Sequence, residues 1–241
     1  MRISAHFLCT VLTLPLCILI MITSPSTAQS RLERVKQQVM PSLREELAAK
    51  GMRIGEQVFL RAFKAERELE VWVRPQGQTS FQHYATYHIA GVSGGLGPKL
   101  KEGDGQMPEG FYHIHRRALN PQSRYHLSFN IGYPNAYDRY HKRTGSFIMV
   151  HGSNLSIGCY AMTDPVIEKI YLLVEAALKA GQPSIAFHTY PFRMEDGWEK
   201  RAQSSPWYSF WQELAPAYQY FQTHHSPAPV KHTKGRYSSA F

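Results

Sequence analysis

One segment of this chain is strongly helical, and it stands among short β-rich runs that glycine and proline interrupt. The segment "DPVIEKIYLLVEAALKAGQ" (164–182) repeats apolar residues at helical spacing, with Asp164 placed to cap its start, Pro165 in its first turn and Gly181 at its end. The runs "EQVFLRAF", "ELEVWV", "SFIMVHG" and "PSIAFHTYPF" are instead rich in β-branched and aromatic residues. This mixture predicts a β-rich α+β domain and not a doubly wound sheet.

The first 28 residues have the pattern of a secretory signal peptide. A positive residue near the start precedes an apolar run that Pro15 breaks, and small residues lead up to Ala28. The apolar run is shorter than the roughly 20 residues that span a bilayer. We therefore predict a signal peptide over residues 1–28, cleavage after Ala28, and export of the remaining chain.

The exported part divides into three segments by composition. Residues 29–53 have apolar positions at helical spacing and many charges, which predicts an amphipathic helix or helix pair with a break before Pro41. Residues 54–223 hold the strand-like runs and the central helix, and we expect them to form one compact domain with a hydrophobic core. Residues 224–241 are polar, basic and proline-containing, which predicts a disordered tail.

The charge of the chain favours anionic partners. Lys and Arg outnumber Asp and Glu by 27 to 18, giving a net charge of +9. Because export separates the protein from nucleic acid, the expected partners are anionic lipid headgroups or the carboxylates and phosphates of a bacterial envelope. A solvated basic surface without a function is the alternative. No pattern in the sequence calls for a cofactor, and none is expected.

Export leaves a single cysteine. Cys9 and Cys17 lie in the signal peptide, so Cys159 has no internal disulfide partner and is either a reactive thiol or a small buried residue. His151 ends a strand-like run eight residues earlier, and glycines in between allow the loop to fold back. A histidine within hydrogen-bond reach activates a thiol as its general base, so we predict a Cys159–His151 catalytic pair.

The residues around the thiol extend this prediction. Gly158 frees the backbone before the cysteine, so the amides of Gly158, Cys159 and Tyr160 are candidates to converge on an oxyanion. Ser156 is placed either to hydrogen-bond the loop or to orient His151.

Two other classes of function fit parts of the pattern. A zinc hydrolase would use His113 and His115, whose side chains share one face of a strand, with His151 or His188 as the third ligand. A non-catalytic cell-wall binding domain would use the basic surface and the 14 tyrosines.

An ordered run of motifs resembles a known family. "SGGLGPK", "PEGFY", "NIGYPNAYDR", "HG", "SIGCYAMTD" and "GQPSIAFHTYPFRM" are similar to the YkuD-type L,D-transpeptidase catalytic domain, in its YafK branch, over about residues 54–222. The resemblance implies a β-sandwich-like catalytic domain with flanking helices, located in the periplasm. By motif, Cys159 maps onto the nucleophile, His151 onto the base and Gly158 onto the oxyanion turn.

The resemblance also implies a substrate. The family's cysteine attacks the peptide bond at meso-diaminopimelate in peptidoglycan stem peptides, and an amine or water resolves the acyl-enzyme. The YafK branch is associated with cleaving peptidoglycan–protein links as well, so an amidase that releases an envelope protein linked to peptidoglycan is the alternative. This chain departs from the family at Ile157, where most members have a histidine.

Further candidates for the cleft follow from these motifs. Lys99 and Arg124 are candidates to hold the carboxylates of the stem peptide, and an arginine does so in bidentate fashion. The remaining substrate-binding candidates are aromatic: Tyr133, Tyr137 and Tyr160.

Overall fold

The computed structural model describes residues 29–239. The predicted signal peptide lies outside the described residues. Between residues 29 and 239 no helix has both the length and the apolar character required to cross a membrane.

The described chain contains five α-helices, one short 3-10 helix and eleven β-strands. The helices are α1 (Arg31–Ala48), α2 (Ala136–Tyr140), α3 (Asp164–Lys179), α4 (Trp198–Ala202) and α5 (Tyr208–His224), with the 3-10 helix at Arg116–Ala118. The strands are β1 (Gln57–Phe63), β2 (Glu68–Arg74), β3 (Gln82–His88), β4 (Gly110–Ile114), β5 (Leu119–Asn120), β6 (Ser128–Asn130), β7 (Met149–His151), β8 (Tyr160–Ala161), β9 (Ile185–Tyr190), β10 (Val230–Thr233) and β11 (Arg236–Ser239).

The strands form two main sheets. The five-stranded sheet has the order β3-β2-β1-β9-β4, and the four-stranded sheet has the order β5-β6-β7-β8. The β1–β2 hairpin predicted around "KAERE" is present, with Phe63 paired to Glu68 across the turn. Strands β1 and β9 pair in parallel, and so do β7 and β8, while the remaining neighbours are antiparallel. The predicted α+β class is confirmed.

Helix α3 joins the two sheets into one core. Its buried residues Ile167, Ile170 and Val174 belong to a single apolar cluster that also contains Leu60 of the first sheet and Val150 of the second. Burying a side chain of this size stabilises the fold by about 1.5–3 kcal/mol. The helix therefore fixes the position of one sheet relative to the other.

Helix α1 packs against α3 and is continuous. It passes through Pro41 without the predicted break, and Val35, Leu43 and Leu47 are buried in the same core as the sheets. Because α1 has buried residues on both sides of the proline, packing holds both halves in one line despite the missing hydrogen bond.

The C-terminal segment corrects the prediction of a disordered tail. Helix α5 runs to His224, and residues 230–239 form the β10–β11 hairpin. Tyr237 of this hairpin stacks on Tyr137 at a centroid distance of 4.1 Å, and its hydroxyl accepts a hydrogen bond from Asn135 at 2.8 Å. The polar composition of residues 224–241 does not indicate these contacts, because one aromatic side chain, Tyr237, makes much of the contact between the hairpin and the domain.

The glycine-rich stretch before β4 is irregular, as predicted, and is fixed to the domain by a buried ion pair. The Lys64 ammonium lies 3.1 Å from the Glu109 carboxylate and donates hydrogen bonds to the carbonyls of Gly97 and Met107 at 2.7 and 2.9 Å. Glu109 also accepts hydrogen bonds from the Gly97 amide and the Trp211 indole. The loop is thereby held against the end of β1 and against α5.

Candidate active site

Cys159 and His151 lie on one face of the four-stranded sheet. Strand β7 ends at His151, which pairs in parallel with Ala161, while Cys159 stands directly before β8. Side chains alternate between the faces of a strand, so Cys159, Met149 and His151 face the same way and Val150 faces the core. The Met149 amide donates to the Cys159 sulfur at 3.5 Å.

The two side chains also line one cavity. This cavity, of about 340 Å³, is bounded by Cys159 and His151 and by four neighbours, which are Tyr125, Leu155, Ser156 and Ile157. We call it the His151 cavity. His151 is buried and Cys159 is half-buried. The structure thus brings the predicted pair together at the wall of a cleft and does not seal the thiol in the core.

The orientation of the His151 ring is set by two contacts. Its Nδ1 lies 2.5 Å from the Gly152 carbonyl oxygen, and its face lies against Tyr125 at a centroid distance of 4.7 Å. A carbonyl oxygen only accepts hydrogen bonds, so Nδ1 carries the hydrogen and Nε2 carries the lone pair. Nε2 is therefore the nitrogen that can take a proton.

Burial shifts the pKa values of the Cys159 thiol and the His151 imidazole. It raises the pKa of the Cys159 thiol above its ordinary value, although the Met149 amide and the charge of Lys99 act in the opposite direction. Burial also lowers the pKa of His151, against a smaller effect of the hydrogen bond to Gly152. A raised thiol pKa and a lowered imidazole pKa both favour the neutral forms, so the resting pair is thiol and imidazole.

Ser156 shapes the turn that carries the cysteine. Its hydroxyl accepts a hydrogen bond from the Cys159 amide at 3.0 Å and donates to the Cys159 carbonyl at 2.7 Å. Of the two roles predicted for Ser156, the structure shows the hydrogen bonds to the loop.

The predicted convergence of amides on an oxyanion is not present in this structure. The Gly158 amide donates to the Ser93 hydroxyl at 2.5 Å, and the Cys159 amide is occupied by Ser156. Gly158 has a φ of +97° and its backbone lies against Gln106, so the position does require glycine. Gly158 thus shapes the turn here, and its amide is held by a residue of the glycine-rich loop that the sequence did not single out.

A second cavity is lined by two residues whose backbones contact the Cys159 sulfur. It measures about 490 Å³, and we call it the Arg117 cavity. Phe147 and Met149 line it, and the backbones of the same two residues contact the Cys159 sulfur. Its polar lining residues are His113, His115, Arg117, Asn120 and Asn130.

Several predicted substrate-binding residues have structural roles instead. Lys99 is buried and its ammonium pairs with Asp104 at 2.5 Å, so it is not free to hold a carboxylate. Tyr160 is buried, with its hydroxyl donating to the Pro108 carbonyl at 3.1 Å. Tyr137 is buried under Tyr237 of the C-terminal hairpin. These three predictions fail because a sequence motif does not show which face of the backbone a side chain occupies.

Of the two remaining substrate-binding candidates, Tyr133 lines a cavity and Arg124 does not. Tyr133 lines the Arg117 cavity, and its hydroxyl donates to the carbonyls of Lys99 and Thr144 at 3.2 Å. Arg124 is exposed and lines neither the His151 cavity nor the Arg117 cavity. The one arginine in the lining of either cavity is Arg117, for which the sequence gave no motif.

The histidines of the zinc alternative are dispersed. His188 is buried between Phe59 and Phe111, at centroid distances of 4.8 and 4.7 Å. Within residues 29–239 no three His, Cys, Asp or Glu side chains are grouped so as to hold a metal ion. His113 and His115 instead line the Arg117 cavity.

Comparison with known proteins agrees with this geometry. Residues 58–209 match the family model described as YkuD, L,D-transpeptidase catalytic domain. The chain is 46% identical over 184 residues to proteins named "Putative L,D-transpeptidase YafK" from Escherichia coli K12 and Escherichia coli O157:H7, covering 76% of this chain and 74% of each relative.

Solved structures with a similar fold have much lower identity. The helical cell shape determining protein Pgp2 from Campylobacter jejuni superposes with a TM-score of 0.45 at 18% identity, covering 80% of both chains. Its K307A mutant gives 0.46 at 21% identity, with 79% of this chain and 65% of that chain covered. The family match extends over more than half of the sequence and includes both Cys159 and His151. The chain belongs to the YkuD family of L,D-transpeptidase catalytic domains.

Proposed function

We propose that this protein is a cysteine-dependent acyl transferase that acts on the meso-diaminopimelate stem peptides of peptidoglycan. The observation that carries the proposal is the placement of Cys159 and His151 on one sheet face and in one cavity, within a chain of the L,D-transpeptidase family. The signal-peptide pattern of residues 1–28 supports action in the periplasm.

The first half-reaction forms an acyl-enzyme. Nε2 of His151 takes the thiol proton as the Cys159 sulfur attacks the carbonyl carbon of the diaminopimelate–D-alanine bond. The tetrahedral intermediate then collapses, the C–N bond breaks, and His151 returns the proton to the departing D-alanine amine. The product is a thioester on Cys159.

The second half-reaction releases the sulfur. An acceptor amine attacks the thioester carbon, His151 takes the amine proton, the C–S bond breaks, and the thiolate recovers the proton from His151. When water replaces the amine the same steps give hydrolysis, and when the bond attacked joins peptidoglycan to a protein they release that protein.

Purified sacculi test the proposal. The wild-type protein and Cys159→Ala are incubated with sacculi that carry attached proteins and with sacculi stripped of them, and the products are identified by mass spectrometry. We expect the wild type to consume tetrapeptide stems and Cys159→Ala to leave them intact. Ser153→Ala, which removes a half-buried loop hydroxyl that does not line the His151 cavity, is the control.

The products distinguish the alternatives. New cross-links indicate transfer, tripeptides without cross-links indicate hydrolysis, and released protein indicates an amidase. Binding to sacculi without turnover by the wild type would favour the cell-wall binding domain and reject the acyl-enzyme. Cys159→Ser is expected to retain less than a tenth of the rate, because an alcohol is a far weaker nucleophile in a thiol-adapted site.

A further inference from the structure

The turn that precedes the candidate nucleophile has little support from its own side chains. We call residues 154–158 the cysteine turn, and its apolar side chains are largely exposed, Leu155 by 69% and Ile157 by 85%. Among residues 29–239, one hydrogen bond joins this turn to any residue beyond the cysteine that follows it. In that bond the Gly158 amide donates to the Ser93 hydroxyl at 2.5 Å. The position of the turn therefore depends on Ser93.

The Ser93 hydroxyl has a defined direction. An amide only donates and a carbonyl only accepts, so the hydroxyl accepts from Gly158 and donates to the Gly105 carbonyl at 2.8 Å. Packing at the same point is close, because a Cβ added to Gly158 would lie 3.2 Å from the Gln106 carbonyl oxygen. The cysteine turn thus lies directly against the glycine-rich loop, and one polar contact sets its orientation there.

The glycine-rich loop is itself braced on both sides of this contact. The Gln106 side chain donates to the Gly95 carbonyl at 2.7 Å and accepts from the Gly95 amide at 2.9 Å. At the start of the loop, Gly91 forms an antiparallel bridge with Ala161 of β8, and a Cβ added to Gly91 would clash with the Asn154 carbonyl oxygen. The loop therefore contacts the cysteine turn at its first and its last residue, with a firm support behind each contact.

The sulfur has only long contacts of its own. It accepts from the Met149 amide at 3.5 Å and donates to the Phe147 carbonyl at 3.7 Å. Because Gly158 directly precedes Cys159, a change in the backbone at Gly158 would turn the cysteine side chain. A displacement of about 1 Å at a reacting atom can lower a rate by about a hundredfold. The backbone anchor at Gly158 is therefore where the position of the thiol is most sensitive.

We propose that Ser93 is a positioning residue of the reaction. Through the Gly158 amide, its hydroxyl holds the Cys159 sulfur where Nε2 of His151 takes the thiol proton. Ser93 lines neither the His151 cavity nor the Arg117 cavity, so its effect passes through the backbone and not through contact with substrate. The inference rests on the proposed function, which pairs the thiol with the imidazole.

Acetylation of the thiol by 4-nitrophenyl acetate at pH 7 tests the position of the sulfur without peptidoglycan. The sulfur attacks the ester carbonyl, His151 takes the thiol proton, the C–O bond breaks and 4-nitrophenolate leaves, so a thioester forms with a burst of colour. Cys159→Ala supplies the background. We expect Ser93→Ala and His151→Gln each to slow the burst by about tenfold or more, and the double variant to be about as slow as either one.

Further variants separate the hydroxyl from the shape of the side chain. Ser93→Thr keeps a hydroxyl and should stay close to the wild-type rate, whereas Ser93→Val has nearly the same shape without it and should be as slow as Ser93→Ala. Ser146→Ala is the matched control, because Ser146 bonds Glu102 of the same loop and has no hydrogen bond to the cysteine turn. Thermal unfolding confirms that each variant is folded.

The outcomes separate this inference from the proposed function. Multiplied effects in the double variant, a wild-type rate for Ser93→Ala, or equal rates for Ser93→Thr and Ser93→Val would overturn the positioning role. A burst that depends on Ser93 and His151, in a protein that leaves sacculi unchanged, would reject the peptidoglycan substrate and keep the role of Ser93. Turnover of stem peptides with a burst independent of Ser93 would reject this inference alone. A wild type without a Cys159-dependent burst would overturn both.

Discussion

At the scale of single residues, the charge state of the catalytic pair follows from burial. A thiolate–imidazolium pair would require a lowered thiol pKa and a raised imidazole pKa, and both shifts in this structure have the opposite sign. In the proposed mechanism His151 therefore acts as a general base that takes the thiol proton during attack. Lys99 is the charge that partly offsets the burial of Cys159.

The pH dependence of thiol alkylation tests this charge state. Iodoacetamide reacts with the thiolate, so the alkylation rate of Cys159 should rise with a midpoint above pH 9, the ordinary value of the group. His151→Gln should leave that midpoint unchanged, because the imidazole is neutral, while abolishing turnover of stem peptides. A thiolate plateau that extends below pH 7 in the wild type and disappears in His151→Gln would contradict the neutral pair.

At the scale of elements, the N-terminal helix holds the loop that packs on His151. Arg31, in the first turn of α1, donates to the carbonyls of Ser123 and His126 at 2.7 and 2.6 Å. Between them, Tyr125 packs its ring on His151 and accepts a hydrogen bond from the Gly152 amide at 3.0 Å. Helix α1 lies before the matched family segment, yet it holds the loop that contacts the proposed base.

Removing this contact should affect the site more than the fold of the helix. Arg31→Gln loses charged hydrogen bonds worth about 1.5–3 kcal/mol and frees the loop, so we expect a lower melting temperature and a several-fold lower kcat with little change in KM. Arg34→Gln is the control, since the Arg34 guanidinium donates to the carbonyl of Gln29, a neighbour on the same chain segment. Equal kcat values for the two variants would show that α1 does not position His151.

At the scale of the whole molecule, one buried ion pair connects distant parts of the chain. Lys64 directly after β1 and Glu109 directly before β4 are both buried, and Glu109 also accepts a hydrogen bond from Trp211 of α5. Residues more than 100 positions apart thereby meet at the base of the glycine-rich loop. Ser93 of that loop in turn holds the Gly158 amide next to the nucleophile.

Breaking the pair should destabilise the entire fold. Lys64→Met leaves the Glu109 carboxylate buried without its partner, which costs about 3–5 kcal/mol in the free energy of unfolding. Lys169→Met breaks the more exposed pair with Glu46 and should cost less than about 1 kcal/mol. Urea unfolding measures both, and similar losses in the two variants would contradict the role of Lys64.

The sequence alone determined the fold class, most of the element order and the identity of the catalytic candidates. Helix α3, the β1–β2 hairpin and strand β9 follow from local periodicity, and a periodicity is a property of neighbouring residues. Cys159 stood out as the single exported thiol, with His151 at the end of a strand-like run. The periodicity is a local feature of the sequence, and the single exported cysteine is found by counting residues.

Only the tertiary structure decided what surrounds that pair. It buried Tyr137 and Tyr160 against partners distant in sequence and paired Lys99 with Asp104. It also placed Arg117, which belongs to no motif, in one cavity lining with Phe147 and Met149. It also ordered the polar tail by stacking one tyrosine. Contacts between residues far apart in the chain depend on how sheets and helices pack, and no pattern among neighbouring residues contains that information.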